Sequence, residues 1–173
     1  SLSPGRFDQY MRPYYERDAS LGEAKKEDVL ELLELLYLKF SELMLLVSTP
    51  TSRHYAGVPQ WQNLNVGGVK PDGTDATNDL SYLCIEAMSD LAIVQPDISI
   101  RVHEHTPEKL LLAACRLSRQ GTGHPKYYND ELITLSMTSR GLSIEEARNF
   151  SIMGCVEPRA YGEGIHLTGG HVN

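Results

Sequence analysis

Ile98-Ser99-Ile100-Arg101-Val102 alternates apolar and polar side chains, and Thr106-Pro107-Glu108 follows within a few residues. A period of two is the signature of a β-strand. The second group reads as a helix start, with Thr106 as N-cap, Pro107 at the first helical position and Glu108 as the acid of the first turn. That helix should end near Gly121. A strand feeding a helix is the unit of an α/β architecture, and the flanking sequence repeats the pattern. Leu64-Asn65-Val66 forms a short strand-like run before Gly67-Gly68. Asp75 to Ala92 reads as a helix with Leu80, Leu83, Cys84, Ala87, Met88 and Leu91 on one face.

Nearer the N-terminus, Phe7 to Arg17 is an amphipathic segment expected near a surface. Lys25 to Val47 is a long helix, with Val29, Leu32, Leu33, Leu36, Phe40, Leu43, Met44 and Val47 recurring at three- and four-residue steps and Pro50 ending it. Downstream, a helix is expected over Asp130 to Ser139. Ser143 and Glu146 form a capping box that opens a short further helix. The apolar run Phe150-Ser151-Ile152-Met153 then delivers the chain to Gly154-Cys155. No internal repeat is visible, and the whole is helix-rich α/β.

The chain has 173 residues, 23% of them charged, with a net charge of −7. Its Lys and Arg residues are scattered, so no basic block is available to neutralise phosphates, which excludes a nucleic-acid partner. The most apolar stretch, Leu30 to Val47, is interrupted by Glu31, Glu34, Lys39 and Glu42 and reads as a buried helix, not a membrane span. Ser1 to Tyr10 lacks the apolar core of a signal peptide. The three cysteines, Cys84, Cys115 and Cys155, are odd in number and far apart. They form no disulfide framework or zinc knuckle, and a reducing, cytoplasmic compartment is expected. The chain starts without Met and stops at Gly169-Gly170-His171-Val172-Asn173, so it is read as a piece of a longer protein.

Gly154-Cys155-Val156-Glu157-Pro158 carries the chemistry. In an extended segment, residues two apart point the same way, so the Cys155 sulfur and Glu157 carboxylate would face one cavity. Gly154 admits backbone conformations or close approaches closed to other residues, and Pro158 biases Glu157 toward an extended conformation. On these residues alone, a cysteine at the end of an apolar strand is more often a small buried hydrophobe.

Several blocks resemble one family in order and spacing across nearly the whole chain. They are Ser3-Pro4-Gly5-Arg6-Phe7-Asp8-Gln9-Tyr10, Gln62-Asn63-Leu64 with Gly67-Gly68, and Asp75-Ala76-Thr77-Asn78-Asp79-Leu80-Ser81. Arg101-Val102-His103 with Thr106-Pro107-Glu108, Gly121-Thr122-Gly123-His124-Pro125 with Asn129-Asp130-Glu131, and the Gly154–Pro158 motif complete the set. Together they resemble the catalytic-cysteine segment of the glycyl radical enzymes, pyruvate formate-lyase-like proteins. The Gly-Cys-Val-Glu-Pro form is similar to the eliminase branch, whereas the formate-lyase proper carries two adjacent cysteines that are absent here.

The resemblance implies that residues 1–173 are part of a pyruvate formate-lyase-like catalytic domain, without the C-terminal glycyl radical domain and inactive alone. It implies a fragment of the family's ten-stranded barrel with Cys155 on a central finger loop. The activity implied is radical C–O, C–N or C–S cleavage of a small polar substrate, with Cys155 as thiyl carrier and Glu157 as acid/base. No bound cofactor is implied. A glycyl radical outside this chain is installed by an activating enzyme using S-adenosylmethionine and an iron–sulfur cluster, and the full-length protein is expected as a homodimer. A carboxylate doing this work belongs in a low-dielectric pocket from which water is excluded.

By the same resemblance Trp61, Thr168, Arg159 and Ser1 are candidate substrate-binding residues, Arg159 as partner for an anionic group. Arg159 and Gly169 depart from the glutamine and acid of diol and choline relatives, which puts those substrates in doubt. His103 and His105 could share a strand face as metal ligands, but no third ligand is evident and no metal is assigned. Cys84, Cys115, Met44, Met88 and Met137 read as packing. Other readings remain: an arylacetate-type radical decarboxylase or formate C-acetyltransferase-like enzyme, a nucleophilic cysteine enzyme pairing Cys155 with His166 or His171, or a non-catalytic fragment.

Overall fold

In the computed structural model, residues 3–43, 49–54 and 62–161 are described. Helices α1 (Phe7–Tyr10), α2 (Arg12–Ser20), α3 (Lys26–Glu42) and α4 (Thr49–His54) precede the first strand, β1 (Asn63–Gly67). Then come α5 (Asp79–Leu91), β2 (Asp97–Val102), α6 (Glu108–Ser118), β3 (Lys126–Asn129), α7 (Asp130–Ser139) and α8 (Ile144–Arg148). The described chain closes with β4 (Phe150–Met153) and β5 (Glu157–Ala160).

Strands β1, β2 and β3 form a parallel sheet in that order, joined by helical crossovers, with Val66 opposite Ile100 and Arg101 opposite Tyr128. Strands β4 and β5 form a separate antiparallel hairpin in which Met153 faces Glu157. On one face of the parallel sheet, Leu64, Val66, Ile98 and Ile100 pack with Leu83 and Met88 of α5, Leu110 and Leu117 of α6, and Tyr37 and Phe40 of α3. A second, smaller core holds Met137, Ala147, Phe150, Ile152 and Ala160 under the hairpin. No helix among the described residues is long and apolar enough to cross a membrane.

Helix α7 occupies the expected span, and α8 opens with the expected capping box: Ser143 accepts from the Glu146 amide and Glu146 from the Ser143 amide. Other boundaries shift. Helix α3 ends at Glu42, because Leu43 is already extended (ψ 120). Met44 and Val47 lie outside the described residues. Pro50 does not terminate α3 but sits in the first turn of α4, where its missing N–H costs no helical hydrogen bond. Leu32 is 66% exposed, and Tyr37, fully buried, completes the α3 face instead.

Helix α5 starts at Asp79, four residues later than expected. Asn78 caps it in a box with Ser81, while Asp75 to Thr77 turn back to the Gly68 segment. Pro107 is the cap of α6, because Thr106 spends its hydroxyl on the His103 amide (2.8 Å). Cys115 is exposed: α6 buries Leu110, Ala114 and Leu117, and the next residue falls on its flank.

Strand β2 is found as expected, but its polar positions are as buried as its apolar ones, Ser99 and Arg101 being wholly covered. The alternation separates an apolar buried face from a polar buried face. Arg101 donates Nε to Asp130 Oδ1 (2.6 Å) and Nη2 to Oδ2 (2.9 Å), and its guanidinium lies 3.8 Å from the Phe150 ring centroid. Removing one partner of such a pair leaves an uncompensated buried charge. Asp130→Asn should therefore destabilise the fold by about 3 to 5 kcal/mol, measured by chemical denaturation.

Candidate active site

The second face of the parallel sheet is built from side chains that seek backbone. Asn63, Asn65 and Gly67 of β1, Asp97, Ser99 and Arg101 of β2, and Lys126 and Tyr128 of β3 occupy alternate positions in one register. The hairpin lies across this face. At its base, Arg101 donates Nη1 to the Phe150 carbonyl and Nη2 to the Arg148 carbonyl, both at 2.8 Å. Arg6 adds donors to Asn149 Oδ1 (3.0 Å) and the Val69 carbonyl (2.8 Å). Burial, and then the charge of Arg101, push Arg6 down to about 10, still protonated at neutral pH. In the middle, Asn65 accepts the Ile152 amide (2.8 Å) and donates to the Ile152 carbonyl (3.2 Å). A primary amide presents the same donor–acceptor pair as a neighbouring strand, so one side chain substitutes for a ladder rung.

At the tip, Asn63 donates to the Gly154 carbonyl (3.3 Å) and Tyr128 Oη donates to the Cys155 carbonyl (2.7 Å). Gly154 has φ +59, a conformation that favours glycine, and a Cβ there would lie 2.6 Å from Glu157 Oε2, which would have to swing aside. Gly154 to Val156 are therefore a turn between β4 and β5, not the extended segment expected. Glu157 is the first residue of β5, and its Oε2 turns back to accept the Val156 amide (3.1 Å). The Cys–Glu proximity comes from the turn and this carboxylate contact, not from residues two apart on a strand.

The Cys155 thiol is half-buried, free of a disulfide, and makes no hydrogen bond among the described residues. Burial pushes it up from its ordinary value, Glu157 and Asp97 push it further, and Lys126 opposes them. Lys126 and Asp97 pair at 2.7 Å across β2 and β3. The result is a protonated S–H at neutral pH, the reverse of what a nucleophilic cysteine needs.

Arg159 lies on β5 opposite Ser151, half-buried, with its Nε buried and unbonded among the described residues. Trp61, Thr168 and Ser1 lie outside the described residues, as do His166 and His171. His103 and His105 are not on a strand: β2 ends at Val102, and both follow in a turn. His103 is satisfied by Asp75 (3.0 Å) and by the His105 amide (3.3 Å), and the described residues hold no metal-ligand cluster. Met88, Met137 and Cys84 are packing residues, as expected. Tyr128, Asn63, Asn65, Lys126 and Asp97 were missed. Their signal was present as polar residues recurring at alternate strand positions, which resembles a solvated strand face.

The pyruvate formate lyase-like family profile matches residues 1–173. The chain belongs to the pyruvate formate lyase-like family of glycyl radical enzymes. It is 34% identical to the trans-4-hydroxy-L-proline dehydratase of Clostridioides difficile over 100% of this chain and 22% of that one. The isethionate sulfite-lyase of Desulfovibrio desulfuricans is 34% identical over 98% of this chain and 21% of its own. A solved structure concerning 1,2-propanediol dehydration in Roseburia inulinivorans superposes with a TM-score of 0.89 at 44% identity, covering 91% of this chain and 20% of that one. The chain spans about a fifth of the length of the curated relatives it matches. Its α/β fold matches part of the glycyl radical enzyme barrel.

The raised thiol sets a testable outcome. Alkylation of Cys155 by iodoacetamide, followed by peptide mass mapping, should be slow at pH 7 and rise through an apparent pKa above 9, the ordinary value. Lys126→Met should slow it further, because the opposing positive charge is lost.

Proposed function

We propose that this chain is the catalytic-cysteine segment of a glycyl radical lyase that cleaves a C–O, C–N or C–S bond of a small polar substrate. The observation that carries the reading is a free thiol on the turn between β4 and β5, held through its main chain by Asn63 and Tyr128, with the Glu157 carboxylate folded onto the same turn. Its family relatives include a dehydratase and a sulfite-lyase by name, which are eliminations of this kind.

Cys155 fits hydrogen-atom exchange because it holds an S–H, engages in no disulfide, and is carried on a turn that its neighbours hold through backbone alone. A glycyl radical outside these residues, installed by an activating enzyme using S-adenosylmethionine and an iron–sulfur cluster, would supply the hydrogen-atom vacancy. Cys155 then takes a hydrogen atom from a substrate carbon, a step near balance because S–H and activated C–H bonds have similar strength. The Glu157 carboxylate takes the proton of the hydroxyl on that carbon, which drives electron density toward the neighbouring bond, and passes that proton to the leaving group as it departs, regenerating the carboxylate. Cys155 returns its hydrogen atom to the product radical, so the elimination is redox-neutral overall. Arg159 is the proposed partner of an anionic substrate group, with Trp61, Thr168 and Ser1 as further substrate contacts.

The test uses the full-length protein, activated without oxygen. Cys155→Ser should keep a glycyl radical signal in electron paramagnetic resonance yet lose turnover by about a thousandfold or more. Glu157→Gln should keep the signal and lose about 100- to 10,000-fold. Turnover surviving in Cys155→Ser would sink the radical reading.

A further inference from the structure

The peptide unit between Cys155 and Val156 is held at both ends. Its carbonyl oxygen accepts from Tyr128 Oη at 2.7 Å, and its amide N–H donates to Glu157 Oε2 at 3.1 Å. These contacts differ in kind. The Glu157 contact is made by the group proposed to move a proton, so it must slacken when the carboxylate turns to substrate or becomes protonated. A carboxyl that has gained a proton is a poorer acceptor, so the Val156 amide is then held more weakly. The Tyr128 contact has no part in the chemistry and persists.

We infer that Tyr128 is the positioning residue of this site: its hydroxyl fixes the Cys155–Val156 peptide plane, and so the aim of the thiol, while Glu157 is engaged with substrate. The inference rests on the radical reading of Cys155 and Glu157. Three observations support it independently of that reading. Tyr128 stands on β3 directly opposite Arg101, the residue that holds the hairpin base, so both ends of the finger refer to one sheet register. The Cys155 carbonyl lies outside the β4–β5 ladder, which closes at Met153 and Glu157, so the strand pairing cannot orient it. Gly154, at φ +59, leaves the tip with the least intrinsic stiffness of any residue type, so an external restraint is needed there. Burial also pushes the Tyr128 phenol up, which keeps it a donor across the working range of pH.

Loss of the hydroxyl should move the sulfur without removing any of the proposed substrate contacts. In the full-length activated enzyme, assayed with a substrate the wild type turns over, Tyr128→Phe should lower kcat per glycyl radical spin by roughly 10- to 100-fold, as expected for a small misplacement of a reacting atom. KM should stay within about twofold, because ground-state binding is untouched. Replacement of Tyr128 by 4-aminophenylalanine, which restores a donor at the same place, should return kcat to within about threefold of wild type. In the resting protein, amide hydrogen exchange at Val156 should quicken about tenfold in Tyr128→Phe, a readout that needs no activation. An unchanged kcat per spin, an unchanged Val156 exchange rate, or a loss that the amine fails to rescue would each overturn the assignment. Cys155→Ser run alongside separates the two ideas. If it is inactive while Tyr128→Phe is fully active, only the positioning role fails, and if it is active, the radical reading itself has failed.

Discussion

The arrangement of the site depends on one buried ion pair. Arg101 and Asp130 are essentially removed from water, at 0% and 2% side-chain exposure, and their bidentate geometry leaves Arg101 two further donors for the carbonyls of Arg148 and Phe150. Asp130 in turn accepts the Val69 amide. One pair thus ties the end of β2 to the start of α7, the base of the hairpin and the loop after β1. Gly68 makes this closeness feasible, since a Cβ there would stand 2.6 Å from Arg101 Nε. A buried pair is a poor source of net stability, because desolvation of both charges offsets much of their attraction. Its value here is positional, as few other groupings satisfy that many directional partners at once.

From that anchor the hairpin runs along a sheet face that reads backbone. Asn65 takes the place of a strand partner for Ile152, and Asn63 and Tyr128 hold the tip. The separation of labour between the two faces of the sheet explains the two cores. Leu64, Val66, Ile98 and Ile100 give the sheet its hydrophobic attachment to α3, α5 and α6, where nondirectional burial is enough. The opposite face holds the β4–β5 hairpin by its main chain, and directional hydrogen bonds fix an orientation better than apolar contact. A cysteine held by its own side chain would have its reactive group consumed by the restraint. Holding it by main-chain carbonyls leaves the thiol unencumbered.

The electrostatics of the tip favour the same chemistry. Partial burial, Glu157 and Asp97 act together on Cys155, and the opposing ammonium of Lys126 is already engaged with Asp97. A thiol so placed retains its proton, which hydrogen-atom exchange requires and nucleophilic attack does not tolerate. The Glu157 carboxylate on the same turn accepts the Val156 amide through Oε2.

The sequence by itself determined the class of the fold, the family and the position of the Gly154–Pro158 motif. Short-range signals were enough for this: Asp130 to Ser139 and the Ser143–Glu146 box are read within one or two helical turns, and the Gly154–Pro158 motif is contiguous. Tertiary structure decided what those signals could not contain. It made Gly154 to Val156 a turn, because pairing of Met153 with Glu157 is a contact between segments and not a local propensity. It also sent Thr106 to the His103 amide, ended α3 at Glu42, and turned Cys115 outward. Above all, it revealed that the polar positions of β1 and β2 are buried and those of β3 partly so. An asparagine or arginine in a strand looks the same in sequence whether it meets water or another backbone, and only folding, by bringing Phe150, Ile152 and Cys155 against it, decides which.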